Sequence, residues 1–130
     1  VTNRRKSALR NSYRSEFLRS PAWFARRDRW FRKQERLGGP LSCAACGRLA
    51  RKQQLELHHL DYAGVSFVDG AWRAVERHDD LVPLHRYCHD LLHRLIDRDV
   101  VLARYRSRRD ASAFALERLR IKLTASEESS

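Results

Sequence analysis

All three cysteines and all six histidines fall between residues 43 and 93. Cys43-Ala44-Ala45-Cys46 and His85-Arg86-Tyr87-Cys88 share the same two-residue gap. In the first pair that gap lets a tight knuckle aim two sulfurs at one point. The second pair, at the entry of a helix, can supply the other two corners of a tetrahedron. Cys and His are the ligands of closed, four-coordinate zinc sites. His85 also completes an otherwise odd cysteine count. His78 is the alternative fourth ligand, without the matching spacing. The competing chemistry is a disulfide, Cys43 to Cys46 or one of them to Cys88, with a thiol left free. No secretion signal supports oxidation. A zinc ion here would stabilise a small core that has few apolar residues near the knuckle.

The second constellation is His58, His59, Asp80, His89 and His93. His89 and His93 are four apart on an expected helix, so both project from one face. His58 and His59 sit on an expected strand and point to opposite sides. One can join His89 and His93 at a metal while the other faces a substrate. Three neutral imidazoles leave coordination positions open, as catalytic metal sites do. The remaining histidine is a candidate general base, because its pKa lies near working pH. Taken alone, each histidine reads as a surface or satisfied core residue. Their joint arrangement carries the reading.

The order Cys-x-x-Cys, Leu55-Glu56-Leu57-His58-His59-Leu60, Asp80-Leu81-Val82-Pro83-Leu84-x-x-x-Cys88-His89 and a trailing His93 resembles the HNH endonucleases. More narrowly, it resembles their short phage and bacterial members. The upstream stretch from Tyr13 through Phe17, Leu18, Ser20 and Pro21 to Trp23 adds to the likeness, which covers roughly residues 13–93. The resemblance implies an α+β fold: a small single domain with a ββα-metal (His-Me finger) core and zinc knuckles, flanked by N- and C-terminal helices. It implies His59 as general base, and His58, His89 and His93 as ligands of one catalytic divalent cation (magnesium, manganese, nickel or zinc). Asp80 takes the place of the family's middle Asn and would fix the loop that orients His59; Asp79 is the adjacent alternative. Cys43, Cys46, His85 and Cys88 would hold structural zinc, with His85 standing where the family usually has Cys. The implied reaction is hydrolysis of DNA phosphodiester bonds, leaving 5′-phosphate and 3′-hydroxyl ends. A phage packaging partner or an inhibitor partner fits such a protein. The alternative reading is a non-catalytic, zinc-stabilised DNA-binding module.

Charge separates from this chemistry along the chain. The net charge is +11, yet residues 38–97 are near neutral, and residues 1–37 carry 12 basic against 3 acidic side chains. So strong a basic excess points to a polyanionic partner, usually nucleic acid; the resemblance implies double-stranded DNA. Arg10, Arg14, Arg19, Arg26, Arg27, Arg29 and Arg32 are the expected backbone contacts, which raise affinity without reading sequence. Arg86 and Arg94, on the helix of His89, are candidates to brace a phosphate; a solvated role is the plainer reading of both.

The elements that must position these residues can be sketched from pattern. Leu9–Arg19 reads as a short basic helix. Ser20-Pro21 starts a second, with Ser as cap and Pro in first place, and Gly38-Gly39-Pro40 stops it. Trp23, Phe24, Trp30 and Phe31 form its core-facing stripe. Residues 55–60 read as a strand, 61–71 as a loop and 71–76 as a second strand. His85–Arg98 and Asp110–Leu123 read as amphipathic helices. With the resemblance, the organisation reads as a basic helical extension (1–37), an HNH ββα-metal core (38–98), a C-terminal helical segment (99–123) and a disordered tail (124–130). No apolar run nears the roughly 18 residues of a membrane span. No signal peptide is read, so the expected location is cytoplasmic, with no membrane partner.

Overall fold

Ser20 and Pro21 open helix α1 (Pro21–Leu37) as their chemistry dictates. Ser20 is extended, its Oγ accepts the Trp23 N–H at 3.2 Å, and Pro21 has no N–H to satisfy. The same Oγ donates to the Phe17 carbonyl at 2.6 Å, tying α1 to a helical turn over residues 14–18. Gly38 ends the helix at φ 79° and returns its N–H to the Glu35 carbonyl. The structure, a computed structural model, describes residues 14–98 and 107–128. The N-terminal part of the expected first helix, with Arg10, lies outside those residues.

The buried face of α1 is Trp23, Arg26, Trp30 and Phe31. Phe24, expected on this face, is instead 53% exposed. Phe31 is covered by the side chains of Lys52 and Arg27. Burying a Phe or Trp side chain is worth about 1.5–3 kcal/mol, so this stripe anchors α1 to the rest of the chain.

Strands β1 (Leu55–His59) and β4 (Leu81–His85) pair antiparallel, with Leu55 opposite His85 and His59 opposite Leu81. Helix α2 (Arg86–Arg98) follows β4 without a loop, so the expected helix start at His85 moves on by one residue. Between β1 and β4 the chain makes a separate hairpin, β2 (Val65–Val68) and β3 (Ala71–Ala74). Its turn is Asp69-Gly70, at φ 53° and 76°. That is the pair of left-handed positions a two-residue hairpin needs. Residues 61–71 read as a loop from sequence, and β2 corrects that, while β3 falls within the expected strand 71–76. β4 was also unforeseen, because Pro83 lies in its middle. A two-stranded sheet tolerates that proline, whose carbonyl accepts the Ala44 N–H at 2.8 Å and so fastens the cysteine knuckle to the sheet.

Helix α3 (Arg108–Glu128) continues past the expected end at Leu123, so residues 124–128 are helical rather than a disordered tail. Ala111, Ala115 and Leu119, at spacings of four, are buried where α3 packs against α2. One cluster of buried apolar side chains joins α1, the knuckle, β1, β4, α2 and α3: Phe17, Trp30, Cys43, Leu57, Leu84, Leu92 and Ala115 all belong to it. The protein is thus a small α+β fold with two antiparallel sheets. Among the described residues, no helix is long and apolar enough to cross a membrane.

Candidate functional site

The knuckle is shaped by its backbone. Gly47, at φ 77°, donates its N–H to the Cys43 carbonyl, and Cys43 in turn donates to the Arg48 carbonyl. The His85 N–H reaches Cys43 Sγ at 3.4 Å, and Cys46 Sγ lies 3.3 Å from His85 Nδ1. The ligand atoms of Cys43, Cys46, His85 and Cys88 all fall within 4.8 Å of one another. His78 is elsewhere: it stacks on Trp30 at 4.9 Å, and its Nε2 meets Gln34 Oε1 at 2.9 Å. His85 is therefore the fourth member. All three cysteines are free of disulfides. Burial raises the Cys43 thiol pKa, but N–H donors at Cys46, His85 and Ala45 outweigh it and lower it overall. Cys88 is pushed up to about 12, by burial first and then by the neighbouring Cys43 and Cys46. Three crowded sulfurs cannot all ionise without a cation among them, and this donor set fits a structural metal such as zinc.

The second cluster lies across the β1–β4 sheet and α2. His58 Nδ1 is 3.2 Å from His89 Nε2, which is 3.0 Å from His93 Nε2. Ligand nitrogens about 2.1 Å from one metal lie roughly 3.0 Å apart at a right angle and roughly 3.4 Å apart at a tetrahedral one. The observed spacings match that range, and the three residues form a group that could hold a metal ion. His58 and His93 are shifted toward the neutral form that a metal ligand needs. His58 is lowered to about 2 by burial, by Arg108 and by its two histidine neighbours. His93 is lowered to about 4 by burial, then by His89 and Arg108.

Each outer nitrogen that the structure braces has a partner suited to the task. His58 Nε2 meets Ser112 Oγ at 3.0 Å, both fully enclosed, and His89 Nδ1 meets Glu56 Oε1 at 3.1 Å. If His58 Nδ1 offers its lone pair to a metal, the proton sits on Nε2, which donates to Ser112 Oγ. Such outer contacts fix tautomer and ring direction. Neither Ser112 nor Glu56 was anticipated. Glu56 had a signal, standing two residues before His58 on the strand. Ser112 had none, being 54 positions away.

His59 points to the other side of β1, as strand alternation requires. It is 2% exposed, between Trp23 at 4.7 Å and a parallel Tyr62 at 4.4 Å. Its Nε2 is 2.7 Å from Glu76 Oε2. Burial lowers its pKa, against the opposing pull of Glu76. Asp80 is buried; its carbonyl takes the Leu60 N–H at 2.8 Å, and its carboxylate accepts from Arg109 Nη2 at 2.7 Å. Asp79 is exposed. Arg108 donates from Nε to the His59 carbonyl and lies 4.5 Å over the Tyr62 ring. The first turn of α3 thus braces both faces of the site through Arg108, Arg109 and Ser112.

The arginines divide. Arg26 is 8% exposed and donates from Nε and Nη2 to the Glu76 carbonyl at 2.9 and 2.8 Å. It corrects the expectation of a DNA contact: a guanidinium enclosed on the inner face of α1 cannot reach phosphate. Arg27 and Arg29 donate to the Leu55 and Ala74 carbonyls, Arg14 lies over Tyr62, and Arg19 donates to the Ser15 carbonyl. Arg32, Arg86 and Arg94 are exposed. Arg19, Arg29 and Arg32 leave a basic outer surface on the N-terminal helices. No protein-family model matches the chain, and neither does any curated protein or solved structure.

Proposed function

We propose that the chain is an HNH-type, metal-dependent endonuclease acting on double-stranded DNA. The observation that carries this reading is the convergence of His58 Nδ1, His89 Nε2 and His93 Nε2 within bonding range of one ion. The strand-strand-helix order of β1, β4 and α2 that brings them together supports it. So does the separation of this group from the all-ligand Cys43, Cys46, His85 and Cys88 cluster. Three protein ligands leave room for substrate, whereas four close a site. The knuckle is the structural zinc site and the triad the catalytic cation site.

A divalent cation bound by the triad would offset charge on the phosphate and on the leaving 3′ oxygen. His59, on the opposite side of the strand, has Nε2 engaged and uses Nδ1 to take the proton of the attacking water. The new bond joins the water oxygen to phosphorus; the P–O3′ bond breaks, its electron pair leaving on O3′, which takes a proton from solvent. Asp80 holds the turn after His59 through the Leu60 N–H. The exposed arginines of the N-terminal helices hold the duplex through its backbone.

One observation favours the second reading, a non-catalytic zinc module that binds DNA. His59 is 2% exposed, which restricts its access to an attacking water. Plasmid nicking by the wild type beside His59→Ala separates the two, after chelation and with magnesium, manganese, nickel or zinc returned. An endonuclease cuts with metal, stops without it, and as His59→Ala binds DNA without cutting. A DNA-binding module binds in both forms and cuts in neither.

A further inference from the structure

Among the described residues, Glu76 is the buried carboxylate at the site for which the metal and backbone roles above have no use. Its side chain is wholly enclosed, with Oε2 2.7 Å from His59 Nε2 and Oε1 without a hydrogen-bond partner. A half-satisfied buried carboxylate is a poor way to hold a fold, since an apolar side chain of like volume does that without the desolvation cost. The chain nevertheless fixes Glu76 from three directions. Arg26 clamps its carbonyl with two hydrogen bonds. Gly64 lies so close that a Cβ there would be 2.5 Å from the Glu76 Cα and N, so only glycine fits. The Val75 N–H, one residue before, is held by the Gly64 carbonyl at 2.9 Å. The ring it addresses is equally confined, between Trp23 and Tyr62.

We infer that Glu76 is the positioning residue of His59: it holds the imidazole in the Nε2-protonated tautomer, keeps Nδ1 bare toward the reacting water, and stabilises the imidazolium once the proton arrives. This rests on the endonuclease reading. The logic is that of any base oriented by a carboxylate on its far nitrogen. No covalent bond forms to Glu76, and the Nε2 proton stays in the His59–Glu76 hydrogen bond throughout.

The test uses the full chain with both metal sites loaded. Glu76→Gln keeps the shape and an acceptor oxygen but removes the charge; Glu76→Ala removes both. The expected result is kcat lowered by roughly 10²-fold in Glu76→Gln, and further in Glu76→Ala, with KM unchanged. On a His59→Ala background, Glu76→Gln should add no further loss, because the two act as a unit. A purely structural Glu76 would lower the folded fraction and leave kcat per folded molecule alone, which overturns the inference. Should the variants fail to fold, nitrogen-15 NMR of the zinc-loaded wild type decides: a proton on His59 Nε2 with Nδ1 bare supports the inference, and a proton on Nδ1 overturns it. Loss of cutting in His59→Ala with full kcat in Glu76→Gln defeats this inference alone. No cutting by the wild type with any metal defeats the endonuclease reading and this inference with it.

Discussion

Ser112→Ala removes one oxygen atom and should weaken metal binding at the histidine triad. Ser112 Oγ is 3.0 Å from His58 Nε2, and both side chains are enclosed. Without it, a buried N–H donor loses its partner, which costs about 1–3 kcal/mol. The ring also loses what holds its proton on Nε2 and its lone pair on Nδ1. Removing such an outer contact typically costs about 10–100-fold in metal affinity, which is about 1.4–2.7 kcal/mol. Both estimates describe the same lost bond and agree. The assay is cobalt titration of protein whose knuckle already holds zinc, followed by visible absorption and calorimetry. Cobalt at an all-imidazole site lacks the thiolate charge-transfer bands of the knuckle, so the sites are read separately. Affinity within a factor of about two of wild type, well short of the roughly 10–100-fold loss expected, together with an unchanged melting temperature, would refute the idea that Ser112 sets the His58 tautomer.

Stripping the knuckle metal with a strong thiol-competing chelator should unfold the chain, since structural zinc contributes about 10–16 kcal/mol against a total of about 5–15 for a domain. Near-ultraviolet circular dichroism reads this, and Cys88→Ser should behave as the stripped wild type does. In protein with the triad free of metal, His58 and His93 have folded-state pKa values of about 2 and about 4, below the ordinary 6.5. The unfolded chain then binds more protons, so stability is full above pH 6.5 and falls as pH drops below it. Urea melts at pH 5 and pH 7.5 should show the lower midpoint at pH 5, and equal midpoints contradict the neutral-imidazole assignment. Arg32→Ala should reduce the salt slope of DNA binding by about one unit and leave stability alone. Arg26→Ala should do the reverse, because its hydrogen bonds go to the Glu76 carbonyl.

Local signals were legible in the sequence where chemistry and structure meet within a few residues. Ser20-Pro21 and Gly38 bound α1 because capping depends on neighbours alone. The two-residue gaps of the knuckle and the four-residue step from His89 to His93 are likewise local. Arg26 was legible too, standing three after Trp23 and four before Trp30 on the buried face, but charge content outweighed helix geometry in the reading. The Asp69-Gly70 pair is a hairpin signal, obscured because β2 is only four residues long. Pro83 hid β4, since proline demotes a strand and a two-stranded sheet lifts that penalty. The supporting partners were out of reach. Ser112, Arg108 and Arg109 come to the site from 29 to 54 positions away, by the packing of α3 on α2. No spacing in a sequence encodes that approach.

In the proposed endonuclease the two metal groups have different work, one closed and structural, the other open and catalytic. Cleavage of supercoiled plasmid by wild type and His89→Ala, each with zinc kept in the knuckle and the triad first stripped and then reloaded, separates these roles. The expected result is no cutting by the stripped wild type, recovery when the divalent cation returns, and no recovery in His89→Ala at equal DNA binding. Cutting that ignores stripping, or a reloaded wild type that binds plasmid and leaves it intact with every metal, would contradict it.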